Sequence, residues 1–135
     1  MDCPLRAPRI AREIGVFTAG MLICRPTRRE AEEYRHYVMV ENVDRAGIDR
    51  MLEMKGQLDG PAEEVARQKS AIMNGKGALP LYGTPDDVAE ILSRLSTAGV
   101  NGVGLSLVNE IDEFPYFRAE VLPRLERLGL RHQAP

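Results

Sequence analysis

The sequence contains no Trp, only two Cys and two His, and aromatic residues make up 5% of its 135 residues. Cys3 and Cys24 have no nearby Cys or His in a metal-ligand spacing, so neither a disulfide framework nor a zinc site is indicated. No apolar run approaches the ~20 residues of a membrane-spanning helix, and Met1 does not open a signal-peptide pattern. Neither charge sign dominates: 18 Lys and Arg against 20 Asp and Glu give a formal net charge of −2. Without a basic block, neither nucleic acid nor an anionic membrane is expected as the main partner. These absences leave a cytoplasmic, single-domain globular protein spanning residues 1–135 as the expectation. With 44% hydrophobic and 28% charged residues, the chain has enough apolar material to build a core.

What is present is an alternation of strand-like and helix-like segments. Residues 14–24 (IGVFTAGMLIC) form a nearly continuous apolar run, as expected of a strand buried on both faces. Thr27 followed by Glu30 is a capping box, opening a helix over about 28–40 with Ala31, Tyr34 and Val38 on one face. Asp44 caps a second helix that stops at Gly56, and Gly60-Pro61 opens a third that ends at Asn74-Gly75. These two helices read as an insertion before a short strand at 78–82 (ALPLY).

The strongest local signal is Gly83-Thr84-Pro85-Asp86-Asp87, which combines an N-cap, an N1 proline and two carboxylates suited to the positive end of a helix dipole. The helix it opens carries Val88, Ile91, Leu92 and Leu95 at helical spacing. Another buried strand is expected at 102–108 (GVGLSLV). A last helix over about 113–128 places Phe114, Phe117, Val121, Leu125 and Leu128 on one stripe. This βα rhythm predicts a parallel α/β sheet or barrel.

The polar constellations are sparse. Gly99-x-x-Gly102-x-Gly104 lies before and within a strand, where it cannot cradle a pyrophosphate at a helix start. Asn74-Gly75-Lys76-Gly77 leads into a strand rather than a helix and lacks the upstream Gly of a P-loop. His36 and His132 have no nucleophile at triad spacing and read as surface residues. Glu110, Asp112 and Glu113 precede or open a helix, a position that capping alone explains. The residues that remain as site candidates are Gly83, Thr84, Asn109 and Glu110, each at the carboxyl end of a strand, where α/β folds place their chemistry.

Three segments taken in order carry a resemblance. They are Gly83-Thr84-Pro85-Asp86-Asp87-Val88-Ala89, Ala98-Gly99-Val100-Asn101-Gly102 and Phe117-Arg118-Ala119-Glu120-Val121-Leu122-Pro123-Arg124-Leu125. Together with Ile23-Cys24-Arg25-Pro26-Thr27-Arg28-Arg29-Glu30-Ala31-Glu32 upstream, residues 9–131 resemble the C-terminal portion of bacterial-luciferase-like flavin-dependent monooxygenases. The resemblance implies a TIM-type (β/α)₈ barrel of which this chain supplies strands six, seven and eight, with extra helices between the first two. It also implies reduced FMN and O₂ acting on a small organic substrate, with a flavin reductase or an N-terminal half as partner. A complete barrel takes about 250 residues, so 135 is about half of one, and the strands that make the family's main flavin contacts would lie outside it. Asn101 stands where relatives commonly have Asp, and Glu110 where they often have Tyr, and no catalytic residue transfers. The other expectation is a non-catalytic half-barrel serving binding or oligomerisation. In both cases open sheet edges imply a homo-oligomer.

Overall fold

A computed structural model describes residues 14–73, 75 and 77–131. Three strands form one parallel sheet: β1 (Phe17–Cys24), β2 (Leu79–Gly83) and β3 (Gly102–Ser106). Among the described residues six α-helices accompany them: α1 (Arg28–His36), α2 (Arg45–Met54), α3 (Ala62–Met73), α4 (Pro85–Thr97), α5 (Glu110–Glu120) and α6 (Leu122–Arg127). The expected βα alternation is present, and α2 and α3 form the excursion between the first two strands.

Strand order is β2-β1-β3, with β1 in the middle. Its carboxyl-terminal half pairs with β2, from Gly20↔Leu79 to Cys24↔Gly83. Its amino-terminal half pairs with β3, from Phe17↔Gly102 to Met21↔Ser106. This corrects the placement of the strands as six, seven and eight of a barrel, because successive barrel strands hydrogen-bond in chain order and would put β2 in the middle.

Alternate β1 residues enter two different cores, one on each face of the sheet. Leu22 and Cys24 pack with Leu81, Val88, Ala89, Phe117, Val121 and Leu125 beneath α4, α5 and α6. Ile23 packs with Ala31 and Met39 beneath α1, with Met21, Tyr34 and Tyr82 alongside. Two right-handed crossovers travelling in opposite directions across a sheet require helices on opposite faces, and α1 and α4 satisfy that requirement. Leu22, Ile23, Leu81, Val88 and Val121 are almost completely buried at the centre.

Several element ends differ from the expected ones for identifiable reasons. The first helix gives way after His36 to one turn of π-helix, Tyr37–Glu41, which turns Met39 inward. The last expected helix splits at Val121 into α5 and α6. Pro123 has no N–H to give the carbonyl four residues back, so the helix is interrupted and restarts with proline in its first turn. The split also swings part of the expected stripe outward: Phe117, Val121 and Leu125 are buried, whereas Phe114 and Leu128 are about half exposed.

Candidate functional site

The carboxyl ends of the three strands lie at one edge of the sheet, and Arg25 joins them. Its backbone N–H donates to the Gly83 carbonyl at 3.0 Å, fixing the end of β1 against the end of β2. Its guanidinium donates to the Cys24 carbonyl at 2.9 Å and to Glu113 Oε1 at 2.6 Å. The same group lies 3.8 Å above the centre of the Tyr34 ring, a cation–π contact from α1. Glu113 is buried, and its Oε2 accepts from the N–H groups of Val108 (3.0 Å) and Asn109 (3.2 Å). Burial, followed by the neighbouring Glu113 carboxylate, pushes the Tyr34 hydroxyl above its ordinary pKa.

A second cluster sits at the start of α4. Asp87 Oδ2 accepts from the Thr84 N–H at 3.0 Å and the Thr84 hydroxyl at 2.8 Å, while the Thr84 oxygen receives the Asp87 N–H at 3.2 Å. Arg28 grips the same carboxylate with two nitrogens, at 2.6 and 3.0 Å. These bonds hold the Asp87 carboxyl well below the usual carboxylate range, the Arg28 hydrogen bonds contributing most. Gly83 is required here: its φ is +138°, and a Cβ would stand 2.7 Å from Asp87 Oδ2.

Of the sequence candidates, Gly83 contributes a carbonyl and room for Asp87, and Thr84 is the cap of α4. Asn109 caps α5, its side chain accepting from the Asp112 N–H at 3.4 Å. Glu110 is exposed in the first turn of α5, where it complements the helix dipole. Gly83 and Asn109 are joined through Arg25 and Glu113, and Thr84 faces Asp87 and Arg28 instead. Arg25 and Glu113 are the residues that sequence reasoning passed over as a pair. The signal lay in an arginine directly after a buried strand and a carboxylate four residues beyond the cap Asn109.

These residues do not fit a flavin phosphate. An anion at a helix start needs free N–H groups or an unpaired cation. Here each start of α1, α4 and α5 carries a carboxylate of the chain itself, Glu30, Asp87 and Glu113, accepting from the cap N–H groups of Thr27, Thr84 and Asn109, and that negative charge repels a further anion. Arg25 and Arg28 are likewise paired. Among the described residues no cluster of His, Cys, Asp or Glu is arranged to hold a metal ion. Nor is any helix among them long and apolar enough to cross a membrane.

No family profile and no curated protein matches the chain. Its fold is similar to part of a crystal structure of riboflavin lyase (RcaE) with modified FMN and substrate riboflavin, with a TM-score of 0.69 and 21% identity. The similarity covers 90% of this chain and 34% of that one. The chain therefore shares its fold with about a third of a flavin enzyme.

Proposed function

We propose that this chain supplies C-terminal strand–helix units to a luciferase-like flavin-dependent monooxygenase, whose complete site oxygenates a small organic substrate with reduced FMN and O₂. The observation that carries this reading is the fold shared with a third of a protein solved with modified FMN and riboflavin. The ordered motifs from Gly83 to Leu125 point the same way. In this reading the chain's residues form a rigid wall and exclude water, while flavin phosphate contacts come from strands of another segment or polypeptide. A reductase supplies the reduced flavin, and the site of action is the cytoplasm.

The test is an FMN titration followed by flavin fluorescence. The chain alone should show no saturable binding at micromolar concentrations. A mixture with a polypeptide carrying the first five βα units of a luciferase-like barrel should restore it. Tight binding by the chain alone, or none by the mixture, defeats the proposal.

A second reading, a non-catalytic binding or oligomerisation module, is favoured by one specific observation. Each of the three helix starts at the strand ends carries one of the chain's own carboxylates on its cap N–H, and Arg25 and Arg28 are paired within the chain.

A further inference from the structure

Asn101 lies between α4 and β3, is exposed, and is clasped twice by Val16. The Asn101 N–H donates to the Val16 carbonyl at 2.7 Å, and the Val16 N–H donates to Asn101 Oδ1 at 2.8 Å. Among the described residues Asn101 Nδ2 has no hydrogen-bond partner. Gly102 follows directly, so no Cβ shields the peptide nitrogen beside the side-chain amide. The other described asparagines are placed differently. Asn42 precedes Val43, and its Nδ2 donates to the Tyr37 carbonyl. Asn109 precedes Glu110, and its Nδ2 donates to Asp112 Oδ2.

We propose that Asn101-Gly102 is a site of spontaneous modification, at which Asn101 loses its side-chain amide and becomes a mixture of aspartate and isoaspartate. The Gly102 backbone nitrogen loses its proton to water and attacks Asn101 Cγ. The new N–Cγ bond closes a succinimide ring, the Cγ–Nδ2 bond breaks, and Nδ2 takes up a proton and leaves as ammonia. Water then opens the ring. Cleavage at Cγ gives aspartate, and cleavage at the main-chain carbonyl carbon gives isoaspartate; no electrons are exchanged. Attacking nitrogen and Cγ belong to neighbouring residues, so ring closure is unimolecular. The Val16 N–H already sits on the oxygen that gains negative charge during the attack, as a fixed donor does in an oxyanion hole. The leaving nitrogen faces no competing acceptor, unlike those of Asn42 and Asn109. Aspartate keeps an oxygen for the Val16 N–H. Isoaspartate routes the main chain through Cβ and displaces Gly102 from its partner Phe17. The inference does not depend on the flavin reading.

Peptide mapping after incubation of the natural chain, folded or unfolded in guanidinium chloride, tests the proposal. Trypsin releases residues 95–118 as one peptide carrying both Asn101 and Asn109, so Asn109 is an internal control. Asn74, the other asparagine before a glycine, lies outside the described residues and in a different peptide. In the folded chain the amide-to-acid mass gain should appear at Asn101 and not at Asn109, at least as fast as at Asn101 in the unfolded chain. The product should accept methyl groups from an isoaspartyl methyltransferase. Gly102→Ala should slow the conversion by about tenfold or more. That variant is tolerable because the atoms nearest an added Cβ belong to the exposed Phe17 ring. Conversion slower in the folded than in the unfolded chain overturns the proposal. So does reaction at Asn109 as fast as at Asn101, or a Gly102→Ala chain that converts like the natural one. Should Gly102→Ala not fold, the comparisons within the natural chain decide alone.

Discussion

Arg25 and Glu113 lie 88 residues apart in the chain and meet at 2.6 Å, joining the end of the central strand to the start of α5. Glu113 is buried, and its other oxygen receives two backbone N–H groups, so the carboxylate has partners on both sides. Removing one member strands the other in a poorly solvated place. Arg25→Ala should therefore cost about 2 kcal/mol and Glu113→Ala about 3 kcal/mol, since the latter also orphans the Val108 and Asn109 N–H groups. Urea denaturation of the single and double variants measures both costs. Strongly non-additive losses are expected, because the two residues act as one unit.

The cap of α4 should show itself in pH dependence. Asp87 is held below its unfolded pKa by Arg28 and Thr84, so its stabilisation is fully present above about pH 4 and is lost as pH falls further. The stability difference between the natural chain and Asp87→Asn should shrink between pH 7 and pH 3. At neutral pH Thr84→Ala should cost ~1 kcal/mol. Denaturation midpoints at the two pH values check both expectations.

Two glycines facing opposite sides of the sheet should respond differently to the same substitution. At Gly20 a Cβ would stand 2.5 Å from Leu81 Cδ1 and 3.0 Å from Val103 Cγ1, within the packed core. Gly20→Ala should cost ~1–3 kcal/mol by overpacking. At Gly102 the obstacle is the Phe17 ring, at 2.6 Å, and that ring is free to swing into solvent. Gly102→Ala should be close to neutral, and thermal melts of the two variants will separate the cases.

Cys24 is buried beneath α4 and α5, and burial pushes its thiol up to about 11. At pH 8 only about one thiol in a thousand would be ionised, so the folded chain should protect Cys24 from iodoacetamide. Unfolding in urea should expose it. Peptide mapping of the alkylated protein under both conditions provides the measurement.

The helix starts were legible because capping is local: Thr27 with Glu30, Asp44 and Thr84 with Asp87 announce themselves within four residues. The buried carboxyl half of β1 was equally plain. Phe17 and Ala19 of its amino half, and Gly104 and Ser106 of β3, are exposed where the apolar runs at 14–24 and 102–108 predict burial, because the described helices cover one face of that end of the sheet only. Strand order was not legible. The same right-handed βα units, read one after another, are compatible with β3 beside β2 or beside β1, and no local chemistry distinguishes the two. The Arg25–Glu113 link escaped for a related reason. Each residue has an ordinary local explanation, as a post-strand basic residue and a first-turn acid, and only tertiary geometry brings them together. Cys3, Asn74, Lys76 and His132 lie outside the described residues.

A central strand that comes first in the chain also governs the order of assembly. During synthesis β1 emerges with neither neighbour available: its first partner ends at Gly83 and its second at Ser106. Until β2 is made the run from Phe17 to Cys24 has both ladders open, and of the helices that cover its Leu22–Cys24 face α4 follows β2 while α5 and α6 arrive last of all. Loop closure over such separations slows folding, and an unpaired apolar strand is prone to off-pathway association while it waits. The yield of soluble protein should thus depend on the interval between translating Cys24 and Ser106, a vulnerability that chaperone supply or a slower growth temperature relieves.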